Sequence, residues 1–418
     1  MLICAHLTPE ADAHFAWFSG RSNDHFLVCA ACNSRYPMAP EVVVEADQAF
    51  LDAIDNSFSC EGVRGTPEVR IRPSNFQFVH EEFHSELPNH SELVDIVPAP
   101  DDRDAWFCLT KTSSLYRVNL RQGEAAELYN WSDLPFELDD EVVLCCSPQG
   151  DYGAIYQASD QLGVVFEIAT GKITLRLNRG DYRPENRHFP VAFFCHQGRT
   201  LLVTATQWNR LDVIDPATGL VLTERSLSSD QELDYFHAHL LVSPDSKWIV
   251  DNGWVWHPVG IVRSWNLNAW VERNPFESED GPSIRDLAMR SYYWDGPICW
   301  LDEKSVAIWG WGGDADWLIP AIRLIDVVSG KELSWFAGPQ VRSAQAWPPK
   351  KLATSLFFDT YLVSVSSDVG TAVWDVATGE QLLHAASFVP IGYHPQSKDY
   401  LTVTKDGFRC SQLVASSE

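Results

Sequence analysis

The stretch "TAVWDVATGEQLLHA" (371–385) decides the fold. Apolar and polar residues alternate on both sides of an Ala-Thr-Gly-Glu turn, which is the pattern of two antiparallel strands half-buried in a sheet. Gly379 supplies the positive φ that a tight turn of this kind requires. A lone hairpin cannot bury its apolar faces, so its meaning depends on whether it recurs.

It recurs along most of the chain. The same wording appears in "LYRVNLRQGEAAELY" (115–129), "VVFEIATGKITLRL" (164–177), "LDVIDPATGLVLTER" (211–225), "VRSWNLNAWVERN" (262–274) and "IRLIDVVSGKELSWF" (322–336). The turn glycines, with Ala269 in the place of one, fall at 123, 171, 219, 269, 330 and 379, so the spacings are 48, 48, 50, 61 and 49 residues. A second element precedes each copy: a turn rich in Pro, Asp, Gln and Gly leads into an apolar strand. Examples are "CSPQGDYGAIYQ" (146–157), "VSPDSKWIVDNG" (242–253) and "YHPQSKDYLTVT" (393–404). This element occurs seven times and the first one six times. Four strands per repeat of nearly fifty residues describe a β-propeller blade. The expected fold is therefore all-β, a seven-bladed β-propeller of four-stranded blades over residues 66–418. The last blade lacks one strand after "TVTKDGFRCSQLVASSE" (402–418), and "SNFQFVHEEF" (74–83) has the alternation to close it, with a closing strand near 74–84.

"SPDSKWIV" (243–250) and "VWDVATGEQLL" (373–383), the latter with Trp374–Asp375 at a blade end, resemble the wording of WD40-type and quinoprotein-like seven-bladed propellers over roughly residues 70–418. The resemblance implies the ring and, for the WD40 type, a non-catalytic scaffold that binds a protein or peptide. The chain departs from those families in detail. It has no Gly-His dipeptide, only one blade end carries Trp-Asp, and the tryptophan-docking repeats of cofactor-binding quinoproteins are missing. Propellers serve as enzymes, receptors and scaffolds alike, so function has to be argued from particular residues.

The first 65 residues follow a different rhythm. Cys29 and Cys32 in "FLVCAACNS" have the spacing of a zinc knuckle, and Cys4 with His6 offers a second ligand pair. The expectation is a small zinc-ribbon-like module over residues 1–65 with one structural Zn2+ on Cys4, His6, Cys29 and Cys32; Cys60, His14 and His25 are alternatives for the fourth position. Plain buried thiols are the competing reading. "EADQAFLDAIDNSF" (45–58) places Phe50, Leu51, Ile54 and Phe58 on one face of an expected helix. So small a unit gains from a metal that supplements its core.

Composition narrows the partners. Of 418 residues, 31 are Lys or Arg and 57 are Asp or Glu, a formal charge of −26. Such a surface repels phosphate backbones and anionic membranes, so neither nucleic acid nor membrane is expected as a partner. "MLICAHLTPEADAH" (1–14) lacks a basic, apolar leader pattern and no apolar run reaches spanning length, so neither conventional secretion nor a membrane span is expected. Cys145–Cys146 side by side, and Cys108, Cys195 and Cys299 within apolar strands, suit thiols in a reducing, cytoplasmic setting.

Chemistry-bearing residues concentrate in the fourth and fifth repeats. Ten of the 17 Trp lie between Trp248 and Trp317, alongside His237, His239, His257 and Asp251. On a regular strand His237 and His239 share a face. The 61-residue spacing implies an insertion around "NPFESEDGPSIRDLAMRSYYWDG" (274–296). Two readings follow. His237, His239, Trp254, Trp256 and His257 form a partner-binding surface of the kind from which hot spots are built; alternatively His237, His239 and Asp251 form a polar site for a small ligand or a reaction. Blade cores also consume Trp, a third use that needs no partner. No G-x-S-x-G, H-E-x-x-H or P-loop occurs, so no catalytic residue is assigned.

Overall fold

The computed structural model describes strand residues 15–19, 25–29 and 35–38, and residues 68–415 apart from 85–86, 88–91, 140, 228–231, 256–258, 292–295, 312–318, 340–353 and 406. Near the start, β1 (Phe15–Ser19), β2 (His25–Cys29) and β3 (Arg35–Met38) pair as an antiparallel meander. The expected helix over 45–58 lies outside the described residues. β4 (Phe76–His84) follows and belongs to the ring.

Seven sheets make up the propeller. Blade 1 holds β5 (Leu93–Pro98), β6 (Ala105–Thr110), β7 (Ser114–Asn119) and β8 (Glu124–Asn130). Blade 2 holds β9 (Val142–Cys146), β10 (Tyr152–Gln157), β11 (Leu162–Glu167) and β12 (Ile173–Asn178). Blade 3 has β13 (Val191–His196), β14 (Arg199–Gln207) and β15 (Arg210–Ile214). Blade 4 has β16 (Phe236–Val242), β17 (Trp248–Val255), β18 (Val259–Asn266) and β19 (Arg285–Ser291). Blade 5 has β20 (Ile298–Trp300), β21 (Ser305–Trp311), β22 (Ile319–Asp326) and β23 (Lys331–Ala337). Blade 6 has β24 (Thr354–Phe358), β25 (Leu362–Ser366), β26 (Gly370–Asp375) and β27 (Glu380–Ala385). Blade 7 joins β28 (Gly392–His394), β29 (Asp399–Thr404) and β30 (Gly407–Ala415) to β4.

The first strand of each blade faces the axis, and β28 against β5, β5 against β9, β13 against β16 and β20 against β24 carry contacts between neighbours. Middle strands have a blade on each side. β6 and β25 are accordingly buried along their whole length, whereas the outer strand β23 is exposed over its first five residues. The cores lie between blades: Trp309, Phe336 and Trp374 fill one seam, and Trp106, Leu401 and Phe408 another. The turn glycines at 123, 171, 219, 330 and 379 all have φ between 67° and 73°. Gly171 is doubly constrained, because a Cβ there would meet the Tyr129 ring at 2.4 Å.

Closure of the ring comes from the segment ahead of blade 1. β4 pairs with β30 over nine residues, from Gly407 opposite His84 to Ala415 opposite Phe76. Before it, residues 70–74 run along blade 6: the Arg72 amide donates to Gln381 O (3.0 Å) and the Gln381 amide to Arg70 O (2.8 Å). The Arg72 guanidinium also pairs with Asp375 at 2.7 Å.

Two repeats depart from the expected hairpins. At Ala269 there is no strand turn; Asn266 Oδ1 accepts from the Ala269 amide and caps α1 (Leu267–Glu272), and α2 (Glu277–Asp280) follows. The insertion of blade 4 thus sits between β18 and β19, and its second half is the outer strand. Among the described residues the outer position of blade 3 holds only a bridge, Ile214 opposite Val221. Beyond it side chains replace the ladder: the Val213 amide donates to Thr223 Oγ1 (2.9 Å) and Arg225 Nη2 to Leu211 O (2.9 Å). Arg225 is buried between Asp212 (2.7 Å) and Glu279 of α2, which ties blade 3 to the insertion of blade 4. Cys108, Cys145, Cys146, Cys195, Cys299 and Cys410 are free thiols, and no described helix is long and apolar enough to cross a membrane.

Candidate functional site

Each innermost strand starts from the same side of the ring, which we call the upper face. Over blades 2 to 4 it is built from the loop 179–190, the two-residue turn Trp208–Asn209 and the start of β16. Local sequence explains its shape. Pro184 at the start of a short 3-10 turn and Arg183 in the left-handed region (φ 53°) fold the loop back on itself.

The residues expected to bind a partner divide. His237 Nδ1 donates to Asp251 Oδ2 at 2.6 Å, while Asp251 Oδ1 accepts from the Ala238 amide at 3.1 Å. The pair is sealed, with side-chain exposures of 1% and 0%. His239 is exposed instead and packs edge-on against His188, ring centroids 5.3 Å apart. The two histidines do not share the face that regular alternation demands, because β16 carries a bulge. Phe236 stands opposite Trp254 and His239 opposite Asn252, which leaves one extra residue between them. Gly253 faces that bulge, and a Cβ there would meet Phe236 O and Tyr235 Oη at 2.4 Å. Consequently His237, His239 and Asp251 do not converge on one open polar site.

Trp254 is not an exposed anchor. It is 1% exposed and lies parallel to Phe236 at 4.2 Å. Trp256 and His257 lie outside the described residues. Five of the ten tryptophans that made this stretch conspicuous fill seams: Trp265, Trp270 and Trp309 are buried, and Trp248 and Trp300 are partly so. Of the expected zinc ligands, Cys29 ends β2, with its backbone opposite Phe15, while Cys4, His6 and Cys32 lie outside the described residues. Among the described residues no group of three or more His, Cys, Asp or Glu could hold a metal.

What the fold does assemble is an aromatic stack that climbs from the Trp254 ring to solvent. Phe236 lies on Trp254; Trp208 meets Phe236 at 4.8 Å; Tyr182 meets Trp208 at 4.9 Å and Phe236 at 6.0 Å. Tyr182 is 49% exposed and Trp208 is half-buried. This cluster is separate from the large seam cores. Beneath the loop lie two buried arginines. Arg179 bonds through Nε to Asp160 O (2.7 Å) and through Nη2 to Pro184 O (2.9 Å), and lies over the Phe189 ring. Arg187 lies over Phe236, 5.2 Å from its centroid. Burial first, and then the Arg187 charge, push the Arg179 guanidinium down from its ordinary value; burial does the same to Arg187. Neither arginine stood out in the sequence. One local signal was available for Trp208, a large aromatic at the tip of a two-residue turn, where no blade core can use it.

No family model matches the chain, and no curated protein does. Among solved structures it is similar to that of U3-55K, with a TM-score of 0.49 and 13% identity over 83% of this chain and 100% of the other. It is also similar to the crystal structure of the RRP9 WD40 repeats, with a TM-score of 0.49 and 14% identity over the same shares. The seven-bladed ring rests on its own strand pairing.

Proposed function

We propose that this protein is a non-catalytic scaffold that binds a protein or peptide on the upper face of blades 2 to 4. One observation carries the reading: the stack of Tyr182, Trp208 and Phe236 ends in a half-exposed tyrosine, outside any seam that folding requires. Tyr and Trp over a desolvated base, with a rigid floor beneath, are what interface anchors are made of. The polar alternative is weaker because the His237–Asp251 pair is closed to substrate. The test is Tyr182→Ala against Trp254→Ala. The first is expected to leave thermal unfolding unchanged and to weaken partner capture by about 2–4 kcal/mol, enough to empty a micromolar complex. The second is expected to destabilise the fold by about 3–5 kcal/mol, as loss of a buried ring does. Tyr182→Ala that captures partners as well as the parent protein does would remove this face from consideration.

The front module remains a zinc proposal in this reading, with Cys4, His6, Cys29 and Cys32 as the ligands. Elemental analysis is expected to find about one zinc per chain. The double change Cys29→Ser and Cys32→Ser is expected to remove it. Metal-free, folded parent protein would end the idea.

A further inference from the structure

The two arginines under the aromatic stack are placed at odds with ordinary electrostatics. Arg187 is 2% exposed, and none of its three guanidinium nitrogens has a hydrogen-bond partner. Arg179 is fully buried, and its Nη1 is unpartnered as well. Neither forms an ion pair among the described residues, whereas the likewise buried Arg225 meets both Asp212 and Glu279. The two are neighbours: Arg179 Nη2 donates to the main-chain oxygen of Arg187 at 3.2 Å. Nearby acids are already engaged. Asp251 holds His237 and the Ala238 amide, Asp160 Oδ1 accepts from the Gln161 amide at the surface, and Glu185 lies toward solvent beside Arg183. A guanidinium stays charged in a protein, so the fold holds two neighbouring cations out of water with no carboxylate in direct contact.

We propose that this pocket takes up a phosphate monoester carried by the partner, with Arg187 and Arg179 as its ligands. Charge balance favours that class over a carboxylate, since two guanidiniums match a dianion and a phosphate monoester carries nearly two negative charges. Geometry agrees, because a guanidinium whose donors are all free can grip phosphate oxygens as a fork. In the structure Pro184 O of the segment 180–186 accepts from Arg179 Nη2 at 2.9 Å, and uptake displaces that segment; Gly180 (φ +80°), with open space where a Cβ would stand, is its first joint. Tyr182 rides on the same segment, so phosphate uptake and the aromatic contact are coupled.

The inference rests on the binding role given to this face, and the experiment separates the two. Inorganic phosphate is titrated into the full chain against chloride and acetate at matched ionic strength, with thermal unfolding and calorimetry as readouts. Phosphate is expected to raise the melting temperature saturably and acetate is not. Arg187→Met is expected to erase that rise while melting, in chloride, no lower than the parent, because it removes an uncompensated buried charge. Arg187→Lys keeps the charge without the fork and is expected to weaken phosphate binding at least tenfold, which keeps the test open should the methionine variant fail to fold. The proposal is overturned if phosphate gives no rise beyond chloride, if acetate gives the same rise, or if the rise survives in folded Arg187→Met or undiminished in Arg187→Lys. Phosphate binding without any captured partner would leave the pocket standing and count against the scaffold. Capture that depends on Tyr182, without phosphate binding, would do the reverse. A phosphorylated and an unphosphorylated form of a captured partner, compared directly, distinguish a protein-borne phosphate from a free one.

Discussion

A chain shortened to begin at Leu87 is expected to lose the folded ring and aggregate, while one that begins at Glu68 is expected to unfold as cooperatively as the parent. The segment between them is what closes blade 7. Without β4, the nine residues of β30 become an unpaired edge, the arrangement that recruits strands from other chains. Apolar contact is lost as well: Phe76 leaves Tyr361, and Phe78 leaves Phe388 and Tyr400. Phe83 leaves the blade 1–blade 7 seam. At roughly 1–2 kcal/mol for each half-buried ring, plus the pairing itself, the loss is on the order of 5 kcal/mol, against the 5–15 kcal/mol or so that holds a domain together. Size-exclusion chromatography and denaturant unfolding of the two shortened chains decide it. Equal behaviour would show that the ring is not held by this strand.

Arg225→Met is expected to cost about 3–5 kcal/mol. The guanidinium makes six contacts at once, including Asp212 Oδ1 (2.7 Å), Thr223 O (2.8 Å) and both oxygens of Glu279. Its loss leaves Glu279 buried with no counter-charge and Leu211 O without its donor. Asp212 suffers less, because Arg210 and Thr206 still reach it at 2.8 and 2.5 Å. The double variant Arg225→Met, Glu279→Met is therefore expected to recover much of the loss. Denaturant midpoints for the singles and the double measure the coupling. A single-variant cost under about 1 kcal/mol would place the charges in solvent contact that the structure does not show.

Most of the ring was legible because its signals are local. A Thr-Gly turn between alternating strands needs only a positive φ and a half-buried sheet, and the glycines at 171, 219 and 379 provide the first. Where the reading slipped, a side chain had taken over a backbone task. Asn266 caps a helix where a turn was expected, and Thr223 with Arg225 stands in for a ladder in blade 3. The site was far less legible. One extra residue in β16 separates His237 from His239, and periodicity cannot register a bulge. Trp254 and Trp256 read alike in sequence, yet burial of Trp254 follows from Phe236 lying across it, a contact between two strands. Tyr182, Trp208 and Phe236 come from three separate segments, so only the closed ring brings them together.

Closure by β4 also orders events in time. His80 meets Ser411 across a separation of 331 residues, and every pair along that seam is comparably remote. Bringing such distant segments together carries a large loop-closure entropy, and contacts of this range form slowly. During synthesis the strand is made before blade 1 and its mate after blade 6, so β4 waits through the making of six blades. Its composition suits that wait. His80, Glu81, Glu82 and His84 place polar and charged groups along an edge that would otherwise find the wrong neighbour, and the same residues then line the outer rim of the finished ring.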